Sequence, residues 1–140
     1  CLQTPAGDVL TSILITPEKD ETSCHVTLQL QYKDYTYIAE GNDYLWMDAF
    51  AALENQLPDN FKLKCCLTCR HGNLCPVGTP PGMIYCMEDV TIKEKQDVFI
   101  YLIDREEDEL RKRENTFVCP EFQRQCENFY TYNDYLYHLK

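Results

Sequence analysis

Twelve residues hold most of the reactive chemistry of this chain: Cys65-Cys66-Leu67-Thr68-Cys69-Arg70-His71-Gly72-Asn73-Leu74-Cys75-Pro76. Four thiols and an imidazole at this density are the raw material of a metal site, a disulfide clip or a redox centre. The Cys66-x-x-Cys69 spacing lets two sulfurs reach one ion, at about 2.3 Å each for zinc. Thioredoxin-type redox chemistry needs its CxxC at a strand-to-helix junction, where the helix N-terminus lowers the thiol pKa. Here Arg70-His71-Gly72-Asn73 opens a loop, so that chemistry is set aside.

Further sulfur comes from outside the stretch. Cys86 closes the strand-like step Met83-Ile84-Tyr85, and Cys119 begins Cys119-Pro120-Glu121-Phe122. A CxxC, a glycine-bearing loop with a later cysteine, and a final cysteine followed by x-x-Phe resembles small bacterial four-cysteine modules that hold zinc or an iron–sulfur cluster. The resemblance covers roughly residues 66–122, with a longer spacer between Cys86 and Cys119 than such modules show. Carried over residue by residue, it implies Cys66, Cys69, Cys86 and Cys119 as ligands. Spacing alone equally allows Cys75 in place of Cys119. His71 is expected as a solvent-facing loop residue, with replacement of one cysteine in a zinc site as the alternative. Four thiolates satisfy tetrahedral zinc and equally hold a [4Fe–4S] or [2Fe–2S] cluster.

The charge distribution favours thiolates in one place. Residues 1–60 carry ten acids and two bases, residues 61–87 carry Lys62, Lys64 and Arg70 with no acid, and residues 88–140 carry thirteen acids and eight bases. Nearby cations favour the ionised sulfur that binds metal. The overall charge of −10 repels phosphate backbones, which argues against nucleic acid as a partner. Seven of the nine cysteines lie from Cys65 onward. Such clustering reads as metal ligation in a reducing compartment rather than as disulfides, which would leave an odd thiol. The expected location is therefore the cytoplasm, with an exported, disulfide-bonded protein, lipid-anchored through Cys1, as the alternative. No apolar run approaches the roughly 18 residues that span a bilayer.

The elements that must position these residues follow from periodicity. Val9–Thr16 is β-rich. In His25–Tyr32, Val26, Leu28, Leu30 and Tyr32 alternate strictly with Thr27, Gln29 and Gln31, the signature of a half-buried strand. Lys33-Asp34 predicts a tight hairpin into Tyr35–Ala39. Asn42 is the expected N-cap of a helix whose Trp46, Phe50, Leu53 and Leu57 form an apolar stripe ending at Pro58. Phe61–Leu67 reads as a further strand with Cys65 on the core face and Cys66 on the polar one. Thr91 and Glu94 fit a capping box for a helix running to Arg113, where Glu107–Arg111, Asp108–Lys112 and Glu109–Arg113 are i,i+4 pairs; a strand at Val98–Ile103 before a shorter helix is the alternative.

The fold class expected is α+β: an antiparallel sheet with one packed helix, then a cysteine-rich loop region and a charged C-terminal helix. The chain is read as a single domain, with a βββαβ-like core at 1–64, the cysteine-rich region at 65–122 and a Tyr-rich tail at 123–140. Most of the tail tyrosines are expected to cover the core, with a protein-binding patch as the sharper alternative. No GxSxG, phosphate loop or HExxH is present. The function expected is that of a small acidic, non-catalytic bacterial protein with a cysteine-ligated structural metal, binding another, basic protein as an inhibitor or immunity-like factor. An iron–sulfur electron-transfer or redox-sensing protein is the alternative.

Overall fold

The computed structural model describes residues 1–19, 24–43 and 45–139. The fold is α+β, with antiparallel sheets and short helices. The chain forms two compact units, Cys1–Leu63 with Tyr137–Lys140, and Lys64–Leu136.

In the first unit a three-stranded meander joins β3 (Ile13–Lys19), β4 (Cys24–Tyr32) and β5 (Tyr35–Gly41). The alternation in β4 is realised: Val26, Leu28 and Leu30 are fully buried, while Gln29 and Gln31 face out. Tyr32 pairs with Tyr35 across the two-residue turn Lys33-Asp34. Lacking glycine, the turn holds Lys33 in the left-handed region at φ 53°, a conformation L-residues adopt at a cost. Helix α1 (Met47–Glu54) buries Met47, Ala49, Phe50, Ala51 and Leu53.

Several expectations are corrected here. Asn42 does not cap α1. The Asp43 carboxylate accepts from the N–H groups of Leu45 (2.7 Å) and Asp48 (2.6 Å), and Trp46, at φ 65°, turns the chain into the helix. The Val9–Thr16 stretch is broken at Leu10–Ser12, separating β2 (Gly7–Val9) from β3. The strand expected over Phe61–Leu67 shrinks to β6 (Lys62–Leu63), which pairs not with the meander but with β1 (Leu2–Thr4), in the order β2-β1-β6. Leu63 N–H donates to the buried Glu54 carboxylate at 2.8 Å, fixing β6 to the end of α1.

The second unit carries a small sheet in the order β7-β8-β9, built from β7 (Gly72–Asn73), β8 (Met83–Cys86) and β9 (Lys112–Glu114). The Met83–Cys86 strand is as expected. Its apolar cluster contains Cys75, Tyr85, Met87, Ile92, Val98 and Leu102, with Tyr132 packed against it.

The C-terminal helix is present but interrupted rather than continuous to Arg113. Asp97 accepts from the N–H groups of Lys93 (2.8 Å) and Glu94 (3.1 Å), so the capping box is Glu94 with Asp97 and α2 (Lys95–Phe99) starts later than Thr91 implied. A π-helical turn, Ile100–Asp104, follows in which Arg105 N–H reaches Ile100 O at 2.9 Å. Glu106 at φ 55° then stops the helix, before α3 (Asp108–Arg111) and β9. The Val98–Ile103 strand does not form either. Of the expected pairs Glu107–Arg111 stands, at 2.7 Å, whereas Lys112 pairs with Glu109.

Candidate metal centre

The chain leaves β6 and folds at once into a tight turn rather than extending as a strand. Thr68 causes this: its hydroxyl accepts Cys65 N–H (3.3 Å) and donates to Cys65 O (3.2 Å). The main chain closes a 3₁₀ turn over Cys66–Thr68, with Cys69 N–H on Cys66 O. A hydroxyl that satisfies its own backbone three residues away competes with strand pairing. The consequence corrects the alternation argument: Cys66 is not on a polar face but buried, like Cys65 and Cys69. The turn is the knuckle that CxxC spacing called for.

Gly72 must follow the knuckle without a side chain. A Cβ there would stand 2.2 Å from Cys66 O, a distance that real contacts do not reach. Gly72 also pairs with Cys86 across β7 and β8, which sets Cys86 beside the knuckle. Cys119 returns from more than thirty residues away because β9 pairs with β8 and the chain beyond it bonds to the turn. Leu67 N–H reaches Asn115 O (2.9 Å), Cys66 N–H reaches Phe117 O (2.8 Å) and Arg70 N–H reaches Gln123 O (2.8 Å).

As a result Cys66, Cys69, Cys86 and Cys119 line one small cavity together with His71, Gly72, Ile84, Glu88 and Glu121. The cavity is small, with about 10 Å³ open to the centre of a water molecule. As they stand, no three His, Cys, Asp or Glu side chains among the described residues are grouped tightly enough to grip an ion. Cys65, Cys66, Cys69, Cys75, Cys86, Cys119 and Cys126 carry free thiols. Burial, with the neighbouring sulfurs of Cys65, Cys69, Cys86 and Cys119, pushes the Cys66 pKa up to about 12. Burial likewise raises Cys86. Thiols have no electrostatic reason to draw closer, because only a cation rewards their ionisation.

Two of the sulfurs are already met by backbone donors. Glu121 N–H lies 3.3 Å from Cys119 Sγ, and Glu88 N–H donates to Cys86, lowering its pKa against burial. Each donor sits two residues after its cysteine. The basic residues expected to help are spread out: Lys64 lies over Phe122 and Arg70 over Phe129, while Arg113 lowers the Cys86 pKa.

The alternative ligands fall differently. Cys75 belongs to the apolar cluster with Tyr85 and Met87, its N–H on Thr79 Oγ1 at 2.8 Å, and does not line the cavity. Cys65 is buried and does not line it either. His71 is not solvent-facing: it is 8% exposed, edge-on to Phe129 at 5.6 Å, and its Nδ1 has no hydrogen-bond partner among the described residues. Burial, with Arg70 beside it, pushes the imidazole pKa down.

Sequence reasoning missed the residues that hold the loop. Asn133, buried, donates from Nδ2 to Leu67 O (2.9 Å) and Gly72 O (3.0 Å). Thr131 donates to Arg70 O (2.7 Å), Asn73 Oδ1 accepts Tyr132 N–H (2.7 Å), and Gln125 N–H reaches Thr68 O (3.0 Å). Arg111 clamps the chain after Cys86 by donating to Cys86 O (3.1 Å) and Asp89 (2.6 Å). The signal available was a Tyr-rich tail that carries Asn128 and Asn133. Tyr135 is fully buried and Tyr132 half-buried, whereas Tyr137 is exposed.

No family model matches this chain, and neither the curated proteins nor the solved structures hold a significant match to it. Among the described residues no helix is long and apolar enough to cross a membrane.

Proposed function

We propose that Cys66, Cys69, Cys86 and Cys119 hold one structural zinc ion, and that the protein is a small, acidic, non-catalytic factor acting by binding another protein. The observation that carries the metal reading is the convergence of four cysteines, from three separate segments, on one small cavity. Two paired backbone N–H donors support it. Closed four-sulfur coordination is the pattern of structural rather than catalytic zinc. Side chains with one rotatable bond each close on the ion as it replaces their protons.

A [4Fe–4S] or [2Fe–2S] cluster on the same four sulfurs is the second reading. The excess of acids over bases outside residues 61–87 selects a basic surface on the partner, and steers its approach in a salt-dependent way. An inhibitor or immunity-like role in a bacterial cytoplasm fits such a factor.

Titration of the metal-free chain with cobalt(II) tests the metal reading. Saturation at one ion per chain with the absorption of tetrahedral four-thiolate cobalt is expected, displaced by zinc. Cys66→Ser and Cys119→Ser should each lose that spectrum, whereas Cys65→Ala and Cys75→Ala should keep it. Loss of the spectrum in Cys75→Ala with retention in Cys119→Ser would overturn the ligand set.

A further inference from the structure

We infer that His71 serves the metal centre without ligating it, by donating its Nδ1–H to one of the cysteine sulfurs. The inference rests on the four-thiolate reading and adds a positioning residue to it. Arg70 Nε lies 3.5 Å from His71 Nε2. An arginine can only donate, so the lone pair of the ring faces it at Nε2. The ring proton is thereby assigned to Nδ1.

That N–H is where a donor is costly. Nδ1 is buried and without an acceptor among the described residues, in a side chain that is 8% exposed and belongs to the lining of the four-cysteine cavity. A buried donor left unmade costs the full desolvation of the group. Glu88 and Glu121 also border the cavity but are exposed, so the buried acceptors it offers are the sulfurs of Cys66 and Cys69. A thiol sulfur accepts weakly, whereas a metal-bound thiolate accepts well, so the donor gains its partner when the ion binds.

The ring is held for this task from the outside. Phe129 meets it edge-on, Arg70 stacks over the same Phe129 at 4.4 Å, and the His71 carbonyl is tied by Met87 N–H (2.9 Å) and Asn73 Nδ2 (3.2 Å). Ligation through Nδ1 would instead require the lone pair there and leave Nε2–H directed at the Arg70 donor.

Two measurements on the full chain test the inference. Long-range ¹H–¹⁵N NMR on the unsubstituted protein reads the tautomer with or without metal: protonated Nδ1 is expected, and protonated Nε2 overturns the proposal. Zinc affinity from chelator competition, with the cobalt spectrum alongside, reads the role. His71→Leu should weaken zinc about 10–100-fold, as outer-shell losses do, while keeping the four-thiolate cobalt spectrum. His71→Asn, which retains an amide donor, should regain most of the loss. Unchanged affinity in His71→Leu overturns the role of His71 alone, as does a three-thiolate spectrum in the unsubstituted chain that changes in this variant. Failure of the unsubstituted chain to bind either metal overturns the four-thiolate reading and removes the acceptor with it.

Discussion

Residues 1–63 are ordered by regular apolar burial. Val26, Leu28 and Leu30 stand on one face of a central strand, and the Phe50 and Leu53 stripe is buried on the helix that follows. Residues 64–136 have an apolar cluster too, but the segments that carry the cysteines run as turns and strands of two to four residues. They are held by Asn133, Thr131, Asn73 and Gln125 reaching exposed ends of the backbone. A sheet of seven- to nine-residue strands satisfies its own peptide groups, whereas a knuckle cannot and must borrow donors from elsewhere in the chain. The lesson is that the second unit depends on specific polar partners, and on a cation if one binds, to a degree the first does not.

The largest effect expected from that contrast is removal of the metal. In small zinc modules binding contributes on the order of 10 kcal/mol of folding free energy. Chelation should therefore strip amide-exchange protection from the knuckle, β7 and β8, while leaving β3–β5 protected. Uniform loss across both units would break the comparison. Leu28→Ala should do the converse, costing about 2–5 kcal/mol as a core cavity in denaturant unfolding followed at Trp46, with cobalt absorption retained at low denaturant.

Asn133→Ala comes next. It strands the Leu67 and Gly72 carbonyls, at about 1–3 kcal/mol for each buried group left unpaired. It should weaken cobalt binding as well as stability, which separates it from Leu28→Ala. The smallest effect is at Asp89, whose carboxyl Arg111 holds below its ordinary pKa. A depressed folded pKa contributes stability above the ordinary carboxylate range, lost as pH falls through the folded value. Because the Asp89 side chain is 65% exposed, Asp89→Asn should cost only roughly 0.2–1 kcal/mol near neutral pH. The difference from the unsubstituted chain should shrink as pH falls through the depressed Asp89 value and vanish below it in acid unfolding.

How much was legible depended on the range of the interactions involved. The β4 alternation and the two-residue hairpin are local, and both were readable. Period-2 reading failed at Phe61–Leu67 because a single hydroxyl, Thr68, diverted the chain into a turn with the same apolar spacing. The caps at Asn42 and Thr91 were misread because a later aspartate, Asp43 in the next position or Asp97 six residues on, offered a better-placed carboxylate. Cys66, Cys69, Cys86 and Cys119 were picked by motif resemblance, and the cavity brings them together. The exclusion of Cys75 was not legible, since it turns on Tyr85 and Met87 beyond a proline-rich loop. His71 was misjudged for a related reason: Phe129, the ring that covers it, lies nearly sixty positions away.

The most direct test of the account is the metal content of the full chain purified without oxygen, by native mass spectrometry with a visible spectrum on the same sample. One zinc per chain, colourless and lost in Cys66→Ser, is the predicted result. Iron with acid-labile sulfide and a brown absorption, or a chain that carries no metal and binds none when zinc is supplied, would contradict it.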